Sequence, residues 1–582
     1  MCGIAGEINL RFENLIKKDY LKTLCHRGPH SQSYFKASEK LNLYHTRLKI
    51  IDLSNQSNQP MLSSDNRYVI SYNGELYNYL ELKKKLQDFG FIFKTQGDTE
   101  VFLNGFIKYG KSFFSLANGI FAVAIYDKIT QDLYLARDFI GVKPLYYTLK
   151  EDKFIFASEI KAILQSNSVD RKIDKSLINE FLFYKYISGN KTLFKNILRI
   201  EPGNIYKINL NNKKIKINKF PYYEFKEEEK KQSLPQTIVE TESLINKSVA
   251  IQLQSDVNIG IQLSGGVDSA IITEIANKIK DINYLYCSTF NGYSNNEFKY
   301  ANIVAKKNNI QLNKIELDKS FFFKNWNKSI YHLDEPLNHP HSLAIMQIAK
   351  KATKKVSVML AGEGADELFF GYERYMNIFQ NNNSEFLVRN GAFLRTKDDL
   401  EFFNLLKNSK FGEPHKSRLE IFNKINIENK IKKFQLFETK THLQSLLLRS
   451  DKMMMAHSVE ARVPYLDKDL FNYSINISDK IKKANIQKIV LKKILSKYGY
   501  SSSFVNRKKI GYLIPFNQWI NSQKKIVNEL NDEILLQLFN RKYLEIIKNN
   551  ISTNKNIYSS SKFFWLFLNL KKFIRIFEID AS

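Results

Sequence analysis

A cysteine stands second in this chain, and loss of Met1 would make it the N-terminal residue. Its α-amine, with an ordinary pKa of about 8, then sits beside a thiol of about 8.5. One residue would supply nucleophile and base together. A lone Cys2 also fits a small buried thiol, so the reading depends on its company. Arg47 lies on the alternating run His45-Thr46-Arg47-Leu48-Lys49-Ile50-Ile51-Asp52, where a guanidinium can grip a carboxylate through two N–H groups. Asn73-Gly74-Glu75 follows the strand-like run Val69-Ile70-Ser71-Tyr72. There the Asn73 side chain and the Gly74 N–H can form an oxyanion hole, and Glu75 can meet an ammonium group. Asp98, in Thr95-Gln96-Gly97-Asp98-Thr99-Glu100, starts a helix and adds a second acid. An amino acid with a side-chain amide needs this set: a cation for its carboxylate, acids for its amine, a nucleophile and oxyanion donors.

A second constellation begins at Leu263-Ser264-Gly265-Gly266-Val267-Asp268-Ser269, between the apolar run Asn258-Ile259-Gly260-Ile261-Gln262 and the helix-like Ala270-Ile271-Ile272-Thr273. Strand, glycine turn and helix start bring backbone N–H groups and a helix dipole to an anion. Ser264 and Ser269 add hydroxyls. Asp268 disfavours bare phosphate and suits a metal ion that holds it. The loop lacks the Gly-Lys-Ser/Thr ending of a Walker P-loop. A later buried run, Val356-Ser357-Val358-Met359-Leu360, ends in Ala361-Gly362-Glu363-Gly364-Ala365-Asp366-Glu367. Acids and glycines at a strand end suit a metal–nucleotide site that also handles a proton.

The elements around these motifs change character along the chain. Past the second constellation's loop, Tyr284-Leu285-Tyr286-Cys287-Ser288-Thr289-Phe290 and Lys314-Ile315-Glu316-Leu317 read as strands alternating with helices. That pattern predicts a doubly wound parallel sheet with its ligand at the strands' C-terminal ends. Residues 238–256 read as an amphipathic helix leading into it. Before that helix, Ile205-Tyr206-Lys207-Ile208-Asn209-Leu210 and Lys214-Ile215-Lys216-Ile217 read as an exposed hairpin, followed by a charged linker to Pro235. The expected division is a nucleophile domain over 2–204, a hairpin and linker over 205–235, and a nucleotide domain over 236–582.

The bulk composition agrees with a globular enzyme. The chain has 582 residues, 43% hydrophobic and 13% aromatic, enough for more than one core. The net charge of +29 (88 − 59) suggests a polyanionic partner, but the lysines are scattered and no aromatic-and-basic RNA motif accompanies them. Nucleic acid is therefore not the expected partner. Cys2, Cys25 and Cys287 have neither disulfide-framework nor zinc spacing. No apolar run approaches 18 residues, and the aromatic run at 563–568 is too short to span a bilayer. No membrane contact and a cytoplasmic location are expected.

The first constellation resembles the class II glutamine amidotransferases, a branch of the N-terminal-nucleophile hydrolases. The matching pieces are Cys2-Gly3-Ile4, His26-Arg27-Gly28-Pro29, Arg47, Asn73-Gly74-Glu75 and Gly97-Asp98, with Ala136-Arg137-Asp138 and Gly141-Val142-Lys143-Pro144 behind them. The resemblance implies an αββα sandwich. In it Cys2 attacks the glutamine amide, Asn73 and Gly74 bind the oxyanion, and Arg47, Asn73, Glu75 and Asp98 bind glutamine. For Arg27 and Arg137 structural salt bridges are expected.

Adding Ser264-Gly265-Gly266-Val267-Asp268-Ser269, Gly362-Glu363-Gly364-Ala365-Asp366-Glu367-Leu368 and Glu460-Ala461-Arg462-Val463-Pro464-Tyr465-Leu466-Asp467, the whole chain resembles the asparagine synthetase (glutamine-hydrolysing) family. The likeness implies an ATP-pyrophosphatase domain with a helical C-terminal part. ATP and pyrophosphate would lie on Leu263, Ser264, Gly265, Gly266, Asp268, Ser269, Phe290, Gly362 and Lys488. Asp268 and Asp366 would hold Mg2+, and Glu363 would handle the ammonia proton. Ammonia would pass through an internal channel to an adenylated aspartate, giving asparagine, glutamate, AMP and pyrophosphate. A homodimer is left open.

Some positions depart from the family. Ala361 stands where Ser or Thr is common, and Asn296 where Asp is common. Glu335-Pro336-Leu337-Asn338-His339-Pro340-His341-Ser342 is unusual near the acceptor side. Residues 376–440 match poorly and read as a helical insertion. The Met453-Met454-Met455 triplet reads as helix core. The departures leave an alternative acceptor open: another carboxylate, such as a uronic acid in surface-glycan synthesis.

Overall fold

The computed structural model describes residues 2–11, 16–290, 297–380, 384–406, 409–484, 486–508, 516–521, 524–553 and 557–581. Asn296 lies outside the described residues.

Two six-stranded antiparallel sheets fill the first 221 residues. In the first, Gly3–Asn9 runs between Leu41–Arg47 and Lys153–Ala157, with Ser31–Ser38, Tyr146–Lys150 and Ile197–Arg199 completing the edges. The second orders Ile217–Pro221, Asn204–Asn209, Asp132–Arg137, Gly119–Asp127, Tyr68–Leu76 and Met61–Leu62. Their inner faces share a core that includes Ile4, Ile8, Leu43, Val69, Ala124, Leu135, Phe154 and Phe156. On the outer face of the second sheet, Tyr72, Val123 and Ile125 pack against Phe102 and Phe106 of the helix Asp98–Tyr109. On the outer face of the first, Ala5, Tyr44 and Ala157 meet Leu21 and Leu24 of the helix Asp19–Leu24. Alternation of apolar side chains on both faces of each sheet produces the expected αββα layers.

Two elements of the first half differ from the sequence reading. The strand expected to end at Tyr72 continues through Leu76, because Asn73, Gly74 and Glu75 pair with Ala122, Phe121 and Ile120. The hairpin expected to be exposed forms the edge of the second sheet. Asn204–Asn209 pairs with Asp132–Arg137 and buries Ile205, Tyr206 and Ile208.

The second half is built on five parallel strands, ordered Leu312–Leu317, Tyr284–Phe290, Ile259–Gln262, Val358–Leu360 and Glu460–Arg462. The strand that comes first in the chain lies at the centre. The chain builds outward on one side, then returns to build on the other. The switch falls between Ile259–Gln262 and Val358–Leu360, where a crevice opens at the strands' C-terminal ends. Both glycine-rich motifs follow these two strands. The helix leading in, Leu234–Gln252, starts earlier than expected because Ser233 and Gln236 form a capping box with Pro at the helix start. Helices Lys397–Leu406, Lys416–Asn423 and Lys430–Lys440 occupy the poorly matching segment. Met453, Met454 and Met455 are fully buried.

The last helix, Ile557–Ile576, holds Phe563 to Leu568 inside the core, and no described helix is long and apolar enough to cross a membrane. Beyond it the chain returns to the first half. Ile173 N–H donates to the Asp580 carbonyl (3.1 Å) and Asp580 N–H to the Arg171 carbonyl (2.7 Å).

Candidate active site

The start of the central strand Gly3–Asn9 places Cys2 at the wall of a small cavity of about 30 Å3, which Arg47, Gly74, Glu75 and Asp98 also line. Cys2 N–H donates to Asn73 Oδ1 (3.0 Å). Asn73 Nδ2 is buried without a protein partner among the described residues, so an unsatisfied donor is left on the residue that holds the Cys2 backbone. Gly74 is required sterically, since a Cβ there would lie 2.2 Å from the Ile120 carbonyl. Burial pushes the Cys2 thiol up, while the terminal amine, a Leu48 backbone hydrogen bond and Arg47 pull it back. Arg47 donates to the Ser54 carbonyl (2.6 Å), to Asn58 Oδ1 (2.9 Å) and to the Asp52 carbonyl. These bonds fix the guanidinium at the cavity wall.

The acids of this cavity depend on the second half of the chain. Glu75 Oε2 lies 3.3 Å from Arg462 Nη2, and Arg462 Nε donates to Glu460 Oε1 (2.6 Å). Burial opposes the charge on Arg462, but Glu460 and Glu75 outweigh it and raise its pKa. Burial drives Glu75 well above the ordinary carboxylate range, with Glu460 adding to the rise. Burial also takes Asp98 up to about 6, against the pull of the Leu76 N–H that donates to it (2.8 Å). Three carboxylates face one guanidinium, a setting that favours an entering ammonium. Glu460 and Arg462 were legible only as family motif residues; nothing local in the sequence points them at Cys2.

Arg27 is buried and structural. It holds Glu159 (2.8 Å), Asp451 (2.9 Å) and the Cys2 carbonyl (3.1 Å). Arg137 is structural by another route. It donates to the carbonyls of Lys143, Ile200 and Gly141, each at 2.7 Å.

A larger cavity of about 440 Å3 opens at the switch of the parallel sheet. Ser264, Gly266, Asp268, Ser269, Gly362, Glu363, Asp366 and Lys488 line it. Gly265 turns away at φ 71°, where its carbonyl accepts from Arg507 (2.8 Å). Lys488 is buried, not a surface lysine. Its ammonium reaches Asp268 Oδ2 (2.5 Å) and Asp366 Oδ1 (2.7 Å). The two carboxylates therefore converge on one cation, and with phosphate oxygens they make the oxygen donor set that suits Mg2+. Leu263 and Phe290 do not reach this wall. Both apolar side chains sit in the core, Phe290 against Trp519 at a 6.3 Å ring separation. His339 and His341 lie with ring centres 4.8 Å apart, tilted by 31°, beside Lys185 and Arg449, surroundings that disfavour a metal cation.

Comparison with known proteins gives two matches along the chain. Residues 1–223 match a glutamine amidotransferase domain and residues 240–572 match asparagine synthase. Asparagine synthetase [glutamine-hydrolyzing] 1 of Bacillus subtilis is 31% identical, over 91% of this chain and 89% of its own length. A putative asparagine synthetase of Methanocaldococcus jannaschii is also 31% identical, over 68% of this chain and 79% of its own length. Asparagine synthetase [glutamine-hydrolyzing] 3 of Bacillus subtilis is 28% identical, over 94% of this chain and 93% of its own length. With its two cavities, its sheet order and these matches along nearly its whole length, the chain belongs to the asparagine synthetase (glutamine-hydrolysing) family.

Proposed function

We propose that this protein is a glutamine-dependent asparagine synthetase, in which Cys2 hydrolyses glutamine and the switch-point cavity amidates aspartate. The observation that carries the reading is the pair of cavities on one chain of this family, one at Cys2 and one at Asp268, Asp366 and Lys488. We assign the glutaminase to 2–204 with the hairpin that edges its second sheet, and the synthetase to 236–582.

At the first cavity Arg47 receives the glutamine carboxylate, and Glu75 and Asp98 its ammonium. The Cys2 α-amine, released by loss of Met1, takes the thiol proton. The thiolate attacks the amide carbon, and Asn73 Nδ2 and the Gly74 N–H stabilise the oxyanion. Ammonia leaves, water cleaves the thioester, and glutamate departs. The buried interface between the halves then carries ammonia inward. At the second cavity Ser264, Gly266 and Ser269 cradle the phosphates of ATP, with Lys488 drawn to the departing pyrophosphate. Asp268 and Asp366 would hold Mg2+, which neutralises phosphate charge when bound. The aspartate side-chain carboxylate displaces pyrophosphate at the α-phosphorus. Ammonia attacks the resulting acyl adenylate while Glu363 takes its proton, and AMP leaves. A cytoplasmic setting supplies the small-molecule substrates.

Pyrophosphate release from ATP and glutamine, with and without L-aspartate, tests the reading. Aspartate-dependent release with matching asparagine is expected. Glutaminase activity without it would transfer the chemistry to another carboxylate, uronates first.

A further inference from the structure

The segment after the helix Ile178–Tyr184 leaves the first half and enters the wall of the second cavity. Lys185 takes a left-handed backbone conformation there (φ 69°), which directs its side chain inward. Its ammonium lies 3.2 Å from His339 Nε2 and 3.3 Å from Nδ1, and 4.2 Å from the centre of the Phe393 ring. His339 packs beside His341, whose Nε2 lies 2.8 Å from Arg449 Nη1. Arg395 reaches the same wall from its exposed rim.

This wall gathers cations and neutral rings. Among the described residues no carboxylate forms an ion pair with Lys185 or Arg395. Asp399 accepts from the Arg395 main-chain N–H (3.0 Å) and is paired with Lys562 (2.5 Å). Burial drives both histidines well below their ordinary range, and Lys185 and Arg449 add to the fall, so both are neutral at pH 7. Burial likewise lowers Lys185, followed by Arg449, Arg395 and Lys562. The acids of the cavity include Asp268 and Asp366, which are taken up by Lys488; cations gathered at a wall with no ion-pair partner are relieved when an anion arrives.

We infer that Lys185, held by the neighbouring His339, and Arg395 recognise a second oxyanion on the acceptor, one that is not amidated. The site therefore selects carboxylic acids carrying a further anionic group, and the glutaminase half supplies the residue that does the selecting. This rests on the proposed synthetase reading only for the identity of the acceptor; in aspartate the second group is the α-carboxylate. Acceptor choice is then built across the two halves rather than within the synthetase alone.

Binding to the full chain, saturated with α,β-methylene-ATP and Mg2+, decides the inference by calorimetry. Succinate carries two carboxylates, and butyrate of the same length carries one. Succinate is expected to bind and butyrate to fail. Lys185→Met should weaken succinate about 30-fold or more, Lys185→Arg should restore most of the affinity, and Arg395→Met should weaken it in the same direction. Each variant is compared at an unchanged thermal unfolding midpoint, so that misfolding is not read as lost recognition. Equal affinity for succinate and butyrate, or succinate binding indifferent to both Lys185→Met and Arg395→Met, would overturn the inference. Aspartate-dependent pyrophosphate release is measured in parallel. Its absence alongside Lys185-dependent succinate binding would sink the asparagine reading and keep this one. The reverse pattern would do the opposite.

Discussion

Glu75 Oε2 and Arg462 Nη2 lie 3.3 Å apart across the boundary between the two halves. The acid that we assign to the glutamine ammonium is thus paired by a strand of the parallel sheet. Arg462 also binds Glu460 on its own strand (2.6 Å) and donates to the Gln252 carbonyl (2.7 Å), so its position is fixed from the synthetase side.

Replacing Arg462 tests that dependence. Arg462→Gln strips the charge from a cluster of three buried acids. Breaking such a pair costs about 3–5 kcal/mol, so urea unfolding should shift to lower concentration. Without the guanidinium, Glu75 is protonated more readily and meets an ammonium less well. The glutamine KM should rise about tenfold or more while ammonia-supported synthesis keeps its kcat. An unchanged glutamine KM would refute the link.

Asp98 sets a pH limb. Its folded value of about 6 lies above the ordinary 3.8. The ionised form is therefore disfavoured by folding, and that cost is full above pH 6. It fades as the pH falls from 6 towards 3.8, so this group alone makes the fold more stable on acidification in that window. Glutamine binding runs the other way, because it needs the carboxylate. The kcat/KM for glutamine should fall about tenfold per pH unit below pH 6. Asp98→Asn should raise KM and flatten the limb; a limb that survives unchanged belongs to another group.

Cys2→Ala separates the two cavities. Glutamine hydrolysis should fall to background, and added ammonium should still give AMP, pyrophosphate and asparagine. Loss of both activities at an intact unfolding midpoint would break the two-cavity reading.

Gly371 packs against the cluster proposed to hold the nucleotide. A Cβ there would lie 2.0 Å from Asp366 Oδ1 and 2.2 Å from Lys488 Cε. Both are ends of side chains that can swing away, so Gly371→Ala should cost little stability, within about 1 kcal/mol. It should nevertheless displace the Asp366–Lys488 pair and cut AMP formation about 10²- to 10³-fold. Asp268→Ala should stop AMP formation while glutamine hydrolysis continues. Full AMP formation in either variant would remove these residues from the ATP site.

The sequence made the local parts of both sites readable. A strand, a glycine turn and a helix start are contiguous around Ser264, and Gly362 with its acids follows a buried run, so their chemistry and their sheet position came together. Cys2, Asn73 and Asp98 were readable as types, but the strand through Glu75 was not. Its apolar alternation stops at Tyr72, and only pairing with Gly119–Asp127 carries it further. Leu263 and Phe290 carried family expectations about ATP, and their side chains are buried at the ends of the two strands they close. Glu460 and Arg462 belong to the Cys2 site only through packing of the halves. Lys185 and Arg395 are single cations in a lysine-rich chain, and no local pattern marks them until the cavity gathers them.

The contacts of Asp580 with Arg171 and Ile173 bear on how the protein is made. A ribosome releases residues 171–173 some 400 positions before Asp580, so the first half waits for nearly the whole chain before this seam closes. Glu460 and Arg462 also emerge late. A nascent or truncated chain thus has Cys2 and its cavity without Arg462, the cation that pairs with Glu75. The charge balance around Glu75 is therefore complete only once translation has delivered the last strand of the parallel sheet.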